Sequence, residues 1–182
     1  MIVREAKIED APLIAWTVAE AIGTETLERY CGSDGLAVLE TLVRAEVSQY
    51  SFRNALVAEI DGVPAGAIVG YDGALLRALR PITFALIREK TGKVLEIEEE
   101  TQAGEFYLDS VGVRPEFRGR GVGRELILKM CERAFAAGHD KVGLLVDAEN
   151  PRAEKLYVML GFVRVAEKRF CGNAMRHLQK SA

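Results

Sequence analysis

The sequence predicts an α/β (α+β) fold, read as a single domain over residues 1–182. Three observations point there. Strand-like and helix-like hydrophobic periods alternate along the chain. The pair Asp61-Gly62 stands between two β-rich runs, a compact hairpin signal. A later strand leads through a glycine-rich loop into a long amphipathic helix. With 49% hydrophobic residues, 182 residues suffice for one core, with a helical insertion over 72–104.

In chain order, Ile2 to Ala6 read as a first strand. Asp10 is expected to cap a first helix carrying Leu13, Ile14, Val18, Ala21 and Ile22, which Gly23 ends. Trp16 is read as packing in this region. Thr24 to Gly32 are expected as a loop. Ser33 or Asp34 would cap a second helix with Leu36, Leu39, Leu42, Val43 and Val47 on its apolar side. Ala55 to Ile60 and Val63 to Tyr71 form the hairpin, with Pro64 tolerable near the start of the second strand. Within 72–104, two short helical pieces are expected on either side of Pro81, with Gly92 closing the second. The acidic run Glu96, Glu98, Glu99 and Glu100 reads as a solvated face, or as an attractor for a cationic amine.

Glu105 to Val113 follow as the central strand. The main helix runs over roughly 121–137, with an exposed Glu125–Lys129 pair, and Gly138 ends it. Lys141 to Val146 are the next strand, weakened at Gly143. Asn150-Pro151 opens a short helix carrying Ala153, Leu156, Tyr157 and Leu160 on one face, and Gly161 terminates it. Phe162 to Phe170 and Ala174 to Leu178 are the last strands, joined by a turn at Cys171 to Asn173.

A net charge of −3 argues against a general nucleic-acid binder. The three cysteines, Cys31, Cys131 and Cys171, are scattered and form neither a zinc pattern nor a disulfide framework. The first residues read as a strand rather than a signal peptide, and no apolar run is long enough to span a membrane. A cytoplasmic location without membrane partners is the expectation.

Basic charge is concentrated instead at Arg118-Gly119-Arg120-Gly121-Val122-Gly123-Arg124. Alternate glycines let backbone N–H groups approach a ligand, and the following helix start favours an anion. This is a phosphate cradle. It lacks the Lys-Ser or Lys-Thr pair of a Walker loop. A Rossmann fingerprint read from Gly119 fails at Arg124. The pattern Arg118-x-x-Gly121-x-Gly123 instead resembles the coenzyme A pyrophosphate loop of GNAT N-acetyltransferases. The lead-in Arg114 to Arg118 fits that family, as does the later Asn150-Pro151-x-Ala153-x-x-Leu156-Tyr157-x-x-x-Gly161-Phe162.

The resemblance implies a GNAT-like mixed, mainly antiparallel sheet flanked by helices. It implies direct transfer of an acetyl group from acetyl-CoA to a primary amine, with no metal and CoA as product. The acceptor, a small molecule or peptide amine, is left open, and a homodimer is allowed by the exposed edges and the insertion. A non-catalytic acyl-CoA sensor is the rival reading. The pyrophosphate would sit on N–H groups of Arg118, Gly119, Arg120, Gly121, Val122 and Gly123, with Arg124 opening the helix. Val111 and Val113 would offer backbone contacts to the acetyl carbonyl and pantetheine, with a bulge expected at Gly112. Tyr157 matches the tyrosine of the family's late Leu-Tyr motif, a candidate to protonate the departing thiolate or to hold the sulfur by a hydrogen bond, though packing alone also explains it. Asp109 and Glu105, four apart on one strand, are candidates for the base, for binding a cation, or for simple solvation. Asn150 fits the pantetheine position and also serves as a helix cap. Ser110 has no histidine partner that would make it a nucleophile.

Overall fold

The computed structural model describes residues 1–182. The strands are β1 (Ile2–Glu5), β2 (Ala55–Ile60), β3 (Val63–Asp72), β4 (Phe106–Val113), β5 (Lys141–Asp147), β6 (Val163–Phe170) and β7 (Asn173–Ser181). The helices are α1 (Ala11–Ile22), α2 (Thr24–Cys31), α3 (Gly35–Arg44), α4 (Leu76–Thr91), α5 (Val122–Ala136) and α6 (Pro151–Met159). All seven strands form one sheet, in the order β1-β2-β3-β4-β5-β7-β6. Only β4 and β5 are parallel, and α5 makes the crossover between them. The sheet is therefore mixed and mainly antiparallel, as expected.

Two apolar layers enclose it. On one face α5 buries Val122, Leu126, Ile127, Met130, Cys131 and Ala134 against Leu56, Ile68, Phe106, Leu108 and Leu144. On the other, α1 and α3 pack Leu13, Ile14, Val18, Leu39 and Leu42 over Val57, Ala67 and Val69. The alternation of Leu56, Val57 and Ala58 between the layers is the period-2 pattern of a strand buried on both faces.

Several local expectations are corrected. Thr24 to Cys31 are helical, not a loop, held between Gly23 (φ 79°) and Gly32 (φ 76°). Asp10 precedes α1 but does not cap it; its carboxylate takes Arg4 at 2.7 and 3.0 Å and the Lys7 N–H at 2.8 Å. Asp34 likewise makes no cap bond, and Leu36 and Val47 are exposed. Lys129 pairs with Glu132 at 2.7 Å rather than with Glu125.

The largest correction is α4, one 16-residue helix that runs through Pro81. An interior proline costs about 3 kcal/mol. Burial of Leu76 and Ile87, at ~1.5–3 kcal/mol each, offsets it. The stripe Leu76, Leu79, Thr83, Leu86 and Ile87 faces the body on both sides of the proline. Packing of this stripe outweighs the local break.

Candidate active site

The site begins with an irregularity in β4. Val69 pairs with Ser110 but Gly70 pairs with Leu108, so Asp109 is an extra residue on β4. Such a bulge bends and twists its strand. The bulge thus falls at Asp109, not at the expected Gly112. Gly112 serves another purpose: a side chain there would press on Thr17 of α1, at 3.1–3.3 Å.

Beyond the bulge, β4 and β5 part. They pair only over Phe106–Leu108 and Val142–Leu144. Leu108, Asp109, Val111, Leu144 and Tyr157 line the resulting opening. The register also fixes where the freed backbone points. The Arg114 N–H donates to the Ala65 carbonyl at 2.9 Å, which makes Arg114–Ala65 and Gly112–Ala67 the hydrogen-bonded pairs. Val111 and Val113 are the alternate residues, so their N–H and C=O groups point away from β3, toward the side β5 has left. The Val113 carbonyl there accepts the Arg118 Nε–H at 3.0 Å.

At the end of the opening lies the glycine-rich loop. Gly119 (φ 76°) and Gly121 (φ 80°) take left-handed conformations that side chains resist. They turn the chain into α5, whose first residue is Val122. No N–H from Gly119 to Arg124 donates to a protein acceptor. Six adjacent donors at a helix start are free for an anion. Arg118 also approaches Glu20 at 3.5 Å, and Arg120 stacks 5.6 Å over Phe117. Both side chains are exposed, as is Arg124.

Tyr157 reaches the opening from α6. That helix is started by Asn150, whose carboxamide oxygen accepts the Ala153 N–H at 3.1 Å, with Pro151 in the first turn. Asn150 is thus a working cap. The Tyr157 ring packs edge-on against Phe162, with centroids 5.8 Å apart. Burial pushes its phenol up to about 12.

Asp109 has the opposite character from an ordinary surface carboxylate. Burial, and then the nearby Glu100 charge, raise it to about 7. A hydrogen bond from Ser110 Oγ at 2.7 Å acts the other way. Ser110 is therefore a donor to Asp109, not a nucleophile.

Glu105 does not join this group. Its carboxylate is buried and accepts from Thr101 Oγ1 (2.7 Å) and Gln179 Nε2 (2.7 Å), and bonds His177 Nε2 (2.8 Å). Desolvation opposes its charge, but the bonds from His177, Gln179 and Thr101 prevail and hold its pKa down. The carboxylate stands over Gly143, where a Cβ would overlap it. The expectation of Glu105 as a base is corrected on these grounds: its lone pairs are engaged away from the opening.

Three groups that sequence reasoning passed over, Gln49, Tyr71 and Arg80, converge on Glu100 of the acidic run. Glu100 is 4% exposed and not a solvated member of its acidic run. It accepts from Tyr71 Oη at 2.8 Å, from Gln49 Nε2 at 2.7 Å and from Arg80. The signal for Tyr71 was its parity with Ala67 and Val69 along β3; nothing local marked Gln49 or Arg80, or set Glu100 apart from its acidic neighbours.

Residues 24–162 match the model of the Acetyltransferase (GNAT) family. The chain belongs to the GNAT acetyltransferase family. This GNAT enzyme is 31% identical, over 189 aligned residues, to the thialysine N-epsilon-acetyltransferase of Bos taurus. That alignment covers 98% of this chain and 96% of the relative. A crystal structure of an acetyltransferase with 31% identity superposes with a TM-score of 0.82, covering 100% of this chain and 99% of that one. An N-acetyltransferase from Staphylococcus aureus Mu50, 24% identical, shares the fold with a TM-score of 0.82 over 98% of this chain and 100% of its own. The family assignment thus rests on the whole chain as well as on its motifs.

Proposed function

We propose that this GNAT enzyme moves an acetyl group from acetyl-CoA directly to the terminal primary amine of a small alkylamine of the thialysine type. One observation carries the reading. The opening between β4 and β5 joins an anion cradle at one end to a raised carboxylate and a protonated phenol in its walls. The cradle residues fit a pyrophosphate because their N–H groups lack protein acceptors. The relative's acceptor supports an amine on a short chain.

The roles follow from position. N–H groups of Gly119 to Arg124 hold the pyrophosphate. Bound acetyl-CoA supplies the acyl thioester. The Val111 N–H is the candidate donor to the thioester oxygen, where negative charge grows on attack. Asp109, ionised above about 7, takes a proton from the acceptor ammonium, directly or through one water. The freed amine attacks the carbonyl carbon and forms the new C–N bond. As the C–S bond breaks, the nitrogen releases its second proton to water, and water restores the phenol proton that Tyr157 gives up. Tyr157, still protonated because its pKa is about 12, gives its proton to the departing sulfur. No acyl-enzyme is needed.

Thermal unfolding with acetyl-CoA, CoA, ATP and NAD tests the binding half. At ~100 times its dissociation constant, a ligand of the folded state adds about 2.7 kcal/mol. Stabilisation by acetyl-CoA and CoA alone is expected. A response to ATP or NAD with none to CoA would remove the cradle assignment. Mass spectrometry of thialysine incubated with acetyl-CoA tests the transfer half, with an Nε-acetyl product expected.

A further inference from the structure

The segment between β3 and β4 brings two charged residues beside the site. Arg80 lies on α4, and Glu100 lies on the chain that returns from α4 to β4. The Arg80 side chain is 12% exposed and contacts one carboxylate oxygen of Glu100. It also donates to the Ile97 carbonyl at 2.7 Å and the Glu98 carbonyl at 2.9 Å, so it ties down the returning chain. The other Glu100 oxygen accepts from Tyr71 Oη and Gln49 Nε2. Gln49 Nε2 also donates to Tyr71 Oη at 3.2 Å, and the Gln49 backbone N–H donates to Thr83 Oγ1 of α4 at 3.1 Å. The bulge at Asp109 falls opposite the Val69–Gly70 step of β3, immediately before Tyr71. The Tyr71 phenol, whose one proton goes to Glu100, thus stands on the stretch of β3 that adjoins Asp109.

A buried guanidinium–carboxylate pair is weak evidence for stability, since desolvation takes back most of the attraction. Its position suggests another use. We propose that Glu100 and Arg80 are positioning residues that act through Tyr71 on Asp109 and decide when Asp109 holds its proton. The inference rests on the reading of Asp109 as the base. It gives the stretch between β3 and β4 a role in the chemistry beyond covering the sheet.

The geometry assigns each group a sign. The negative charge of Glu100 favours the protonated form of Asp109, and Glu100 draws the Tyr71 proton to itself. Arg80 offsets the Glu100 charge and favours the ionised form. Tyr71, when it donates to Asp109, also favours the ionised form. The remaining groups facing Asp109 are Ser110 and Tyr107 on β4 and Tyr50 from the stretch before β2, with Tyr157 across the opening. None of these carries charge near neutral pH, because burial raises all three phenols. Glu100 and Arg80 are the charges that tune the site.

The test uses near-isosteric variants of the full chain. The Asp109 carboxyl is followed by carbon NMR through pH 4–9, with Asp109→Asn identifying its signal. Glu100→Gln is expected to lower the Asp109 midpoint from about 7. Arg80→Gln is expected to raise it. The double variant Arg80→Gln/Glu100→Gln is expected to lie between them. A merely structural pair would not move the midpoint in opposite directions. If Arg80→Gln does not fold, Glu100→Gln and the double variant still decide the point. Midpoints unchanged in both would overturn the inference. The pH dependence of kcat/KM is measured in parallel. If the NMR midpoint moves and the rate profile does not follow, the positioning inference holds and Asp109 is not the base.

Discussion

Asp109 on β4 and Tyr157 on α6 line the same narrow opening, and burial raises the pKa of each. The consequence differs for the two groups. At about 7, Asp109 exchanges its proton near neutral pH. At about 12, Tyr157 keeps its proton there. One wall is thus equipped to accept a proton and the other to give one, the separation that acid–base transfer needs.

Tyr157→Phe keeps the ring and its edge contact with Phe162 while removing the acid. Turnover with acetyl-CoA is expected to fall by ~10²-fold, within the range for loss of a general acid. CoA affinity, by calorimetry, should change by less than about twofold, well under the 1.4 kcal/mol that makes a tenfold difference. Full turnover with the correct acceptor would exclude the phenol from the reaction.

Asp109→Asn is expected to lower kcat/KM by ~10²-fold and to remove its rise with pH around 7. The same change alters stability. The folded protein holds the Asp109 proton up to about 7, whereas the unfolded chain releases it near 3.8. The group's stabilising contribution is therefore complete below 3.8 and is lost as pH rises toward 7. The stability difference between Asp109→Asn and the native chain should shift in favour of the variant between pH 4 and 8. Thermal unfolding at several pH values reads it, and a difference that stays flat would contradict the burial argument.

Gly143→Ala places a Cβ on the Glu105 carboxylate and displaces it from its three partners. A buried charge that loses its partners costs several kcal/mol, about 3–5 in comparable cases. A large loss of thermal stability is expected. Glu105→Ala in the Gly143→Ala background should recover part of it. If Gly143→Ala alone unfolds like the native chain, Glu105 is less constrained than its bonds imply.

Gly121→Ala tests the cradle. No protein atom lies within 4 Å of the added Cβ, so its structural cost comes from the left-handed backbone at φ 80°, about 1–2 kcal/mol. CoA affinity is expected to fall by about tenfold or more, because the backbone N–H groups must approach the ligand closely. Calorimetric titration of the folded variant measures it. Native affinity would show that the loop does not touch CoA.

The sequence carried what is local. Gly23, Gly92, Gly138 and Gly161 end their helices with φ of 79°, 71°, 92° and 90°, and Asn150 caps α6. These positions are legible because the backbone conformation or cap depends on one residue. The glycine-rich loop is legible for the same reason. What was missed depends on contacts distant along the chain. α4 survives Pro81 because its stripe meets the body, and Glu100 leaves the solvated face because Gln49, Tyr71 and Arg80 converge on it. Gly143 looked like a weak point in its strand until Glu105, 38 positions earlier, occupied the space of its missing side chain. Asp109 was found by its place on the central strand, but its raised pKa required Glu100 and burial.

The most direct measurement is the stoichiometry of transfer. Purified enzyme is incubated with acetyl-CoA and a panel of alkylamines that includes thialysine and lysine. Free CoA thiol and N-acetylated amine are counted together. The account predicts one acetylated terminal amine for each thiol released, with both released ~10²-fold more slowly in Asp109→Asn and Tyr157→Phe. Tight acetyl-CoA binding without an acetylated amine anywhere in the panel, or thiol release with no N-acetyl product, would contradict it.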